Sequence, residues 1–242
     1  MMSSLFVLEA NAMPIMGKKM LELYHQLDNH IMTHYNSPKQ KQAPCAKGCA
    51  SCCSQFFEIS TIEFLVILNQ LKTIESDLLE TFQENSKVLM SLFKEYHHNF
   101  FESYFNDSSP NSVNQTYYQH PERFKIHFPC VFLSKEGACQ IYPVRPFVCR
   151  TTGVGYKRRF EWGPICNEIH NGFLASFWQV DLRKFLPEID AISWGVSLRQ
   201  YPMFYFMFEY FTNHSNPFTN SLLKSCFEDS EVDFLEKLKE RK

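Results

Sequence analysis

The apolar side chains near the start of the chain recur every three or four residues, which is the spacing of one helix face. This pattern covers residues 15–36 and ends at a polar linker, NSPKQKQ. Further along, Ser60 and Glu63 form the S-x-x-E arrangement of a capping box directly before an apolar run. The patterns therefore predict a helix over 15–36 and a second helix that begins near Thr61.

A longer amphipathic pattern follows and predicts one continuous helix over about 76–104. The side chains predicted to form its buried stripe are Leu79, Phe82, Leu89, Phe93, Tyr96 and Phe100. A polar segment at 106–116 then predicts a loop.

Prolines and short β-prone pieces replace the helical pattern after this loop. The pieces CVFL and ACQIY predict a hairpin across residues 134–137, in which Leu133 pairs with Ala138. In that register Cys130 and Cys139 share one face of the hairpin, and a shift of one residue would separate them.

Helical spacing returns from residue 168 and includes a final amphipathic piece at 229–240. Taken together, the patterns predict a mainly α protein. We expect a single α-rich domain over residues 1–242, with a small irregular or β-hairpin cysteine-rich metal-binding segment at about 45–166.

The composition sets the expected compartment. The chain has 242 residues, of which 45% are hydrophobic, so it can bury a core without disulfides. Its first residues carry no basic leader, and no run of about 20 apolar residues occurs. We therefore expect a cytoplasmic protein that does not enter a membrane. Because cytosolic thiols stay reduced, clustered cysteines there are more often metal ligands or catalysts than disulfides.

Eight of the nine cysteines fall into two groups, one within CAKGCASCC and one spread over a longer downstream segment. We predict that both groups bind metal and that folding brings them together. The predicted ligands are Cys45, Cys49, Cys52, Cys53, Cys130, Cys139, Cys149 and Cys166. Cys226 lies far from both groups and is expected to be an ordinary buried thiol.

The spacing of the upstream cysteines distinguishes between metals. A zinc ribbon requires two C-x2-C pairs, and among these cysteines only Cys49 and Cys52 have that spacing. The C-x3-C-x2-C arrangement from Cys45 to Cys52 allows three thiolates of one loop to bind three irons of a cubane. Radical S-adenosylmethionine enzymes use this spacing, although the alternating pattern of their βα barrel is missing here. The favoured cofactor is a 4Fe–4S cluster, with zinc as the alternative and S-adenosylmethionine as a candidate ligand of an open iron.

Cys52 and Cys53 are adjacent, so their side chains diverge and rarely bind the same ion. Cys53 is therefore expected to serve a second centre, to connect to the downstream group or to remain an exchangeable thiol. His120 and His127 precede Cys130 and are candidates for a mixed nitrogen–sulfur site, although loop histidines of this kind more often face solvent.

Thiolate clusters need positive charge nearby, and residues 123–159 supply it in a protein whose net charge is −2. Glu136 is the one acidic residue of this stretch. The basic residues are Arg123, Lys125, Lys135, Arg145, Arg150, Lys157, Arg158 and Arg159. Arg145 and Arg150 flank Cys149 and are predicted to bind the cofactor, whereas the run at 157–159 is equally compatible with a solvated surface or a nucleic-acid patch.

CAKGCASCC followed by CVFLSKEGACQIYPVRPFVCR resembles the YkgJ-like cysteine-cluster proteins, also called the CxxCxxCC or zinc/iron-chelating domain family. The resemblance covers about residues 45–166. The family pattern C-x-IY-x-x-RP-x-x-CR carries over Cys139, Arg145, Pro146, Cys149 and Arg150, while the C-x3-C opening and the insertion before Cys130 depart from it. The resemblance implies chelation of zinc or of an iron–sulfur centre. Flagellin lysine N-methylases have a similar cysteine motif.

Three functions are compatible with these features. The first is an iron–sulfur protein that transfers electrons or presents an open iron to a small ligand such as S-adenosylmethionine in methyl transfer. The second is a non-enzymatic zinc-stabilised module whose basic stretch binds an acidic partner or, less favoured, RNA. The third is a thiol-redox or metal-trafficking protein. The sequence names no catalytic residue.

Overall fold

The computed structural model describes residues 13–36, 48–106, 125–152, 154, 156–157, 180–196 and 200–212. Several predicted features lie outside these residues and are not tested by the structure. They are Cys45, Cys166, Cys226 and His120, residues 107–116 of the predicted loop, the helical pattern at 168–179 and the final piece at 229–240.

The described part of the chain is mainly helical with two small two-stranded sheets, which confirms the predicted fold class. The helices are α1 (Met13–Tyr35), α2 (Thr61–Leu71), α3 (Ser76–Tyr96), α4 (His98–Asn106), α5 (Phe147–Thr152), α6 (Leu186–Val196) and α7 (Met203–Thr212), with a 3-10 turn at Tyr142–Val144. The strands are β1 (Glu58–Ser60), β2 (Tyr156–Lys157), β3 (Val180–Asp181) and β4 (Gln200–Pro202).

The capping box predicted from the sequence forms at the start of α2. Ser60 precedes the helix in an extended conformation, and its backbone N–H donates to the Glu63 carboxylate over 2.9 Å. The bond satisfies one backbone donor that the first turn leaves without a partner. This confirms that the helix begins at Thr61, and α1 covers the predicted 15–36 segment except for residue 36, which lies just beyond its end.

The helix predicted over 76–104 is divided in two, so the prediction of one continuous helix was wrong. His97 leaves the helical conformation, with φ −129° and ψ 39°, and α4 begins at the next residue. The predicted buried stripe holds except at Tyr96, which is 68% exposed because it lies at the end of α3, just before the break. Beyond the break, Phe100 is again fully buried.

The hairpin prediction was wrong in its register. Leu133 bridges to Cys139 and not to Ala138, and this bridge is isolated, not part of a ladder. The turn is one residue longer than predicted because Gly137 adopts a left-handed conformation, with φ +77°. Cys130 still reaches the same side as Cys139, since it lies in a separate turn in which Leu133 N–H donates to the Cys130 carbonyl over 3.0 Å.

Residues 180–185 were predicted to be helical but form a strand and a turn before α6 begins. Val180 and Asp181 pair in parallel with β2, and Val180 and Leu182 are buried on either side of exposed Asp181. This alternation has the period of two that is typical of a strand.

The elements pack around an aromatic core. α3 packs against α7, α1 packs against α2 and α6, and β1 pairs antiparallel with β4, which leads directly into α7. Phe93 of α3 is fully buried at the centre of this core and contacts the rings of Phe56, Phe100 and Phe204 at centroid distances of 5.5 to 5.8 Å. Such tilted and edge-on contacts are the favoured aromatic geometry.

None of the described helices is long and apolar enough to cross a membrane.

Candidate metal centre

Backbone contacts bring the two cysteine groups together. The Cys130 N–H donates to the Cys53 carbonyl over 2.7 Å, and Gln55 forms an isolated antiparallel bridge with His127. On the other side of the loop, a Cβ atom at Gly137 would lie 3.7 Å from the Gly48 carbonyl oxygen. The upstream loop is therefore held between the chain before Cys130 and the turn after it.

The six cysteines that the structure describes all line one pocket, and none of them forms a disulfide. They form what we call the sulfur wall: Cys49, Cys52, Cys53, Cys130, Cys139 and Cys149. The rest of the lining includes a group that we call the aromatic wall: Phe56, Phe128, Met203 and Phe204. Among the described residues, no carboxylate or imidazole lines this pocket.

Four thiols of the sulfur wall influence one another. Burial raises the pKa of Cys130 to about 12, with smaller contributions from Cys139 and Cys52. Burial also raises the pKa of Cys149, followed by the effects of Cys130, Cys52 and Cys139. The pKa of Cys52 is raised first by its hydrogen bond with the Cys53 thiol and then by burial. Cys52, Cys130, Cys139 and Cys149 are therefore near neighbours, with Cys53 beside Cys52, and a charge on one thiol disfavours a charge on the next.

The thiols surround the pocket without converging on a single point. Within the described ranges, no group of three or more histidine, cysteine or carboxylate side chains has the arrangement needed to hold a metal ion. Binding a metal here would thus require the side chains to rotate inward and to lose protons. All-sulfur donors are the set preferred by zinc, Cu(I) and iron–sulfur clusters, so the chemistry of this wall fits the predicted groups.

Arg145 supplies positive charge at the pocket. Its guanidinium lines the pocket and lies over the Tyr142 ring, 4.1 Å from guanidinium carbon to centroid. It lowers the pKa of both Cys139 and Cys52, although burial and the neighbouring thiol outweigh this effect. Its Nη2 atom is 4.0 Å from Asp28 of α1. Arg145 therefore lies beside the thiols, and its role in cofactor binding stays a prediction.

Arg150 occupies a different position from Arg145. It does not line the pocket, and its side chain is 1% exposed. Its guanidinium donates to the carbonyls of Arg145 over 2.8 Å and Pro143 over 2.6 Å, and it pairs with Asp28. Its charge still lowers the pKa of Cys139. Arg150 therefore acts on the site mainly by holding the backbone before α5.

Glu63 is a buried carboxylate beside this segment, and the sequence indicated only its capping role. Its Oε1 atom accepts a hydrogen bond from the Tyr24 hydroxyl over 3.0 Å and another from the Phe147 N–H over 2.8 Å. Phe147 is the first residue of α5, which carries Cys149. Neither Tyr24, Asp28 nor this second role of Glu63 was predicted, because their partners lie far away in the sequence.

Some residues predicted to belong to the site either do not line the pocket or are not described by the structure. His127 is exposed and lies outside the pocket lining. Cys45 and Cys166 are not among the described residues, so their predicted roles as ligands stay untested. The same holds for Arg123, Arg158 and Arg159 of the basic stretch.

A pocket lined by clustered cysteines and by Arg145 has the donor set of a cysteine-rich chelating domain. The sequence profile of the CxxCxxCC family, "Putative zinc- or iron-chelating domain", matches residues 44–167, slightly more than half of the chain. The chain therefore belongs to this family, which supports binding of zinc or iron. No curated protein and no solved structure gave a significant match.

Proposed function

We propose that the sulfur wall holds an iron–sulfur cluster, with Cys52, Cys130, Cys139 and Cys149 as its principal ligands. The gathering of six thiols in one pocket, with no carboxylate or imidazole among its described lining residues, supports this proposal most directly, because iron–sulfur clusters are typically held by cysteine alone. The aromatic wall supports it further, since limited access of water stabilises such clusters and tunes their potential.

The roles of the individual residues follow from their positions. Arg145 offsets the negative charge of bound thiolates, and Arg150 and Glu63 hold the backbone that carries Cys149. A bound cluster would supply one-electron chemistry, and with an open iron it would also bind a small ligand. We propose electron transfer as its use. A reducing, cytoplasmic setting is consistent with this use, because the described cysteines are all free thiols.

Oxygen-free purification tests the cluster directly. The protein should be brown, with broad visible absorption, acid-labile sulfide and about four irons per chain if the cubane is complete. A colourless protein that contains one zinc and no sulfide would contradict the cluster. A spectral change on adding S-adenosylmethionine to reduced protein would extend the proposal to an open iron, and no change would restrict it to electron transfer.

A zinc-stabilised module is the second candidate, and one observation favours it. The thiols whose pKa values are raised are those of Cys52, Cys130, Cys139 and Cys149, and their number equals that of the ligands in a Zn(Cys)4 site. In this version the metal stabilises the loops and the protein has no turnover. Stoichiometric zinc that survives dialysis, together with loss of the folded loops on chelation, would support it.

A further inference from the structure

Helix α1 lies outside the family match, yet two of its side chains contact the segment that carries Cys149. Asp28 pairs with the buried Arg150 guanidinium. The Tyr24 ring lies against the same guanidinium, with 4.3 Å between the guanidinium carbon and the ring centroid. Tyr24 is 2% exposed, so this contact is shielded from water and stronger than a surface contact.

Arg150 connects α1 to the backbone that precedes α5. Its two hydrogen bonds to the Pro143 and Arg145 carbonyls fix the turn from which Arg145 projects into the pocket. Arg150 directly follows Cys149 on α5. The Arg150 guanidinium, which Tyr24 and Asp28 of α1 contact, therefore fixes the backbone on both sides of Arg145.

Tyr24 also reaches the second group that holds α5. Its hydroxyl donates to the same Glu63 oxygen that accepts the Phe147 N–H. A buried carboxylate of this kind needs all its partners, because an unsatisfied oxygen in the interior is costly. Tyr24 therefore connects the carboxylate at the start of α5 with the guanidinium near its middle.

We propose that Tyr24 and Asp28 are positioning residues of the metal centre: through Arg150 and Glu63 they place Cys149 and Arg145 at the pocket. The inference rests on the proposed function in so far as the pocket binds metal. It implies that residues 44–167 do not form a complete site without α1.

The full-length variants Tyr24→Phe and Asp28→Asn test this proposal. Tyr24→Phe removes the hydroxyl and keeps the ring against Arg150, and Asp28→Asn removes the charge and keeps the shape. The matched control for the first is Tyr35→Phe on the same helix, which removes a hydroxyl bond of 2.5 Å to the Val154 carbonyl. The control for the second is Glu84→Gln, which removes an exposed pair with Lys87.

Two measurements are made on each folded variant, with unfolding curves recorded in parallel. Zn²⁺ serves as the probe in a chelator competition, and both test variants should bind it roughly tenfold more weakly than wild type, with the controls unchanged. In metal-free protein, iodoacetamide labelling followed by mass spectrometry gives the rate at Cys149 relative to Cys49. This ratio should rise in the test variants alone, because a displaced α5 exposes its thiol.

Wild-type Zn²⁺ affinity and an unchanged Cys149 to Cys49 labelling ratio in both test variants would overturn the inference. A uniform rise in labelling at every cysteine would also overturn it, because it would indicate general destabilisation. If the wild-type protein binds neither zinc nor iron, the proposed function fails, and the labelling ratio still decides whether α1 positions Cys149.

Discussion

The sulfur wall and the aromatic wall belong to one pocket but are held in place by different interactions. The aromatic wall includes Phe204, on α7, whose ring contacts buried Phe93 on α3. The sulfur wall comes from loops, a short helix and isolated bridges, with single backbone bonds such as that from Cys130 to Cys53. Burial of apolar surface thus fixes the aromatic wall, whereas the sulfur wall combines buried loop side chains such as Phe132 with a few polar contacts.

This difference separates folding from metal binding. The helical layer buries enough apolar surface to hold its shape, so it offers a rigid support on which loops can be arranged. The loops bury side chains such as Val131 and Phe132, and the Arg150 guanidinium, the Glu63 carboxylate and a bound metal add to this stability. We therefore expect changes in the aromatic core to lower global stability and changes in the sulfur wall to lower metal affinity.

The largest effect on stability is expected from Phe93→Ala. Phe93 is 0% exposed and contacts the Phe56, Phe100 and Phe204 rings, so truncation leaves a large cavity. The free energy of unfolding should fall by about 3–5 kcal/mol in urea titrations followed by circular dichroism. Tyr96→Ala, at an exposed site on the same helix, is the control and should cost about 0.5 kcal/mol or less. Equal costs would show that α3 does not support the aromatic wall.

Cys149→Ser should act on the other wall. A structural metal site contributes roughly 10–16 kcal/mol over four ligands, so loss of one ligand should weaken binding on the order of a hundredfold. The helices should keep their circular dichroism signal. Retention of iron or zinc against a chelator measures the effect. Cys49→Ser should cost less, because the Cys49 thiol donates to the Ser51 hydroxyl over 3.8 Å in an exposed hydrogen bond, whereas burial and the neighbouring thiols of Cys130, Cys52 and Cys139 raise the pKa of Cys149.

The opposite ranking of the two serine variants would contradict the ligand set. It would place the principal ligands in the upstream loop and leave Cys149 as a buried neighbour of the metal.

Metal affinity should depend steeply on pH. Because burial raises the pKa of Cys130 to about 12 and that of Cys149 well above its ordinary value, both thiols are protonated at neutral pH without metal. Each thiol that binds metal must release a proton, so affinity falls as the pH falls. The expected slope is about 1.4 kcal/mol, or tenfold, per pH unit for each displaced proton.

Zinc competition between pH 6 and pH 8 measures this slope. A zinc affinity that changes about a hundredfold or more per pH unit would show that metal binding displaces two or more thiol protons. A flat profile would mean that metal binds elsewhere, through groups that are already deprotonated.

The same contrast explains how much could be predicted from the sequence. The start of α2 follows from Ser60 and Glu63, because a capping box involves residues only three apart. The meeting of Cys53 with Cys130 has no local signal, since it depends on how the intervening helices pack. We expected the two cysteine groups to meet because clustered thiols commonly share a metal, and the structure shows the backbone contact between Cys53 and Cys130.

Tyr24 and Asp28 show the limit most clearly. In the sequence they are an aromatic and an acidic residue of an amphipathic helix, which is their ordinary place. Their partner Arg150 lies more than a hundred residues further along the chain. The pattern around Cys149 indicated that Arg150 was important, but it did not indicate that Tyr24 and Asp28 are its partners.

The smallest effect is expected where the turn of the sulfur wall meets the upstream loop. Gly137 has φ +77°, which costs an L-residue about 1 kcal/mol, whereas an added Cβ would find ordinary contacts 3.7 Å from the Gly48 oxygen and 3.8 Å from Ala50 Cβ. Gly137→Ala should therefore lower the free energy of unfolding by about 1 kcal/mol through backbone strain alone. Gly137→Asn should cost less, because asparagine tolerates this conformation better. A loss several times larger for both variants would show that the turn is packed as tightly as the aromatic core, and the contrast between the two walls would fail at this point.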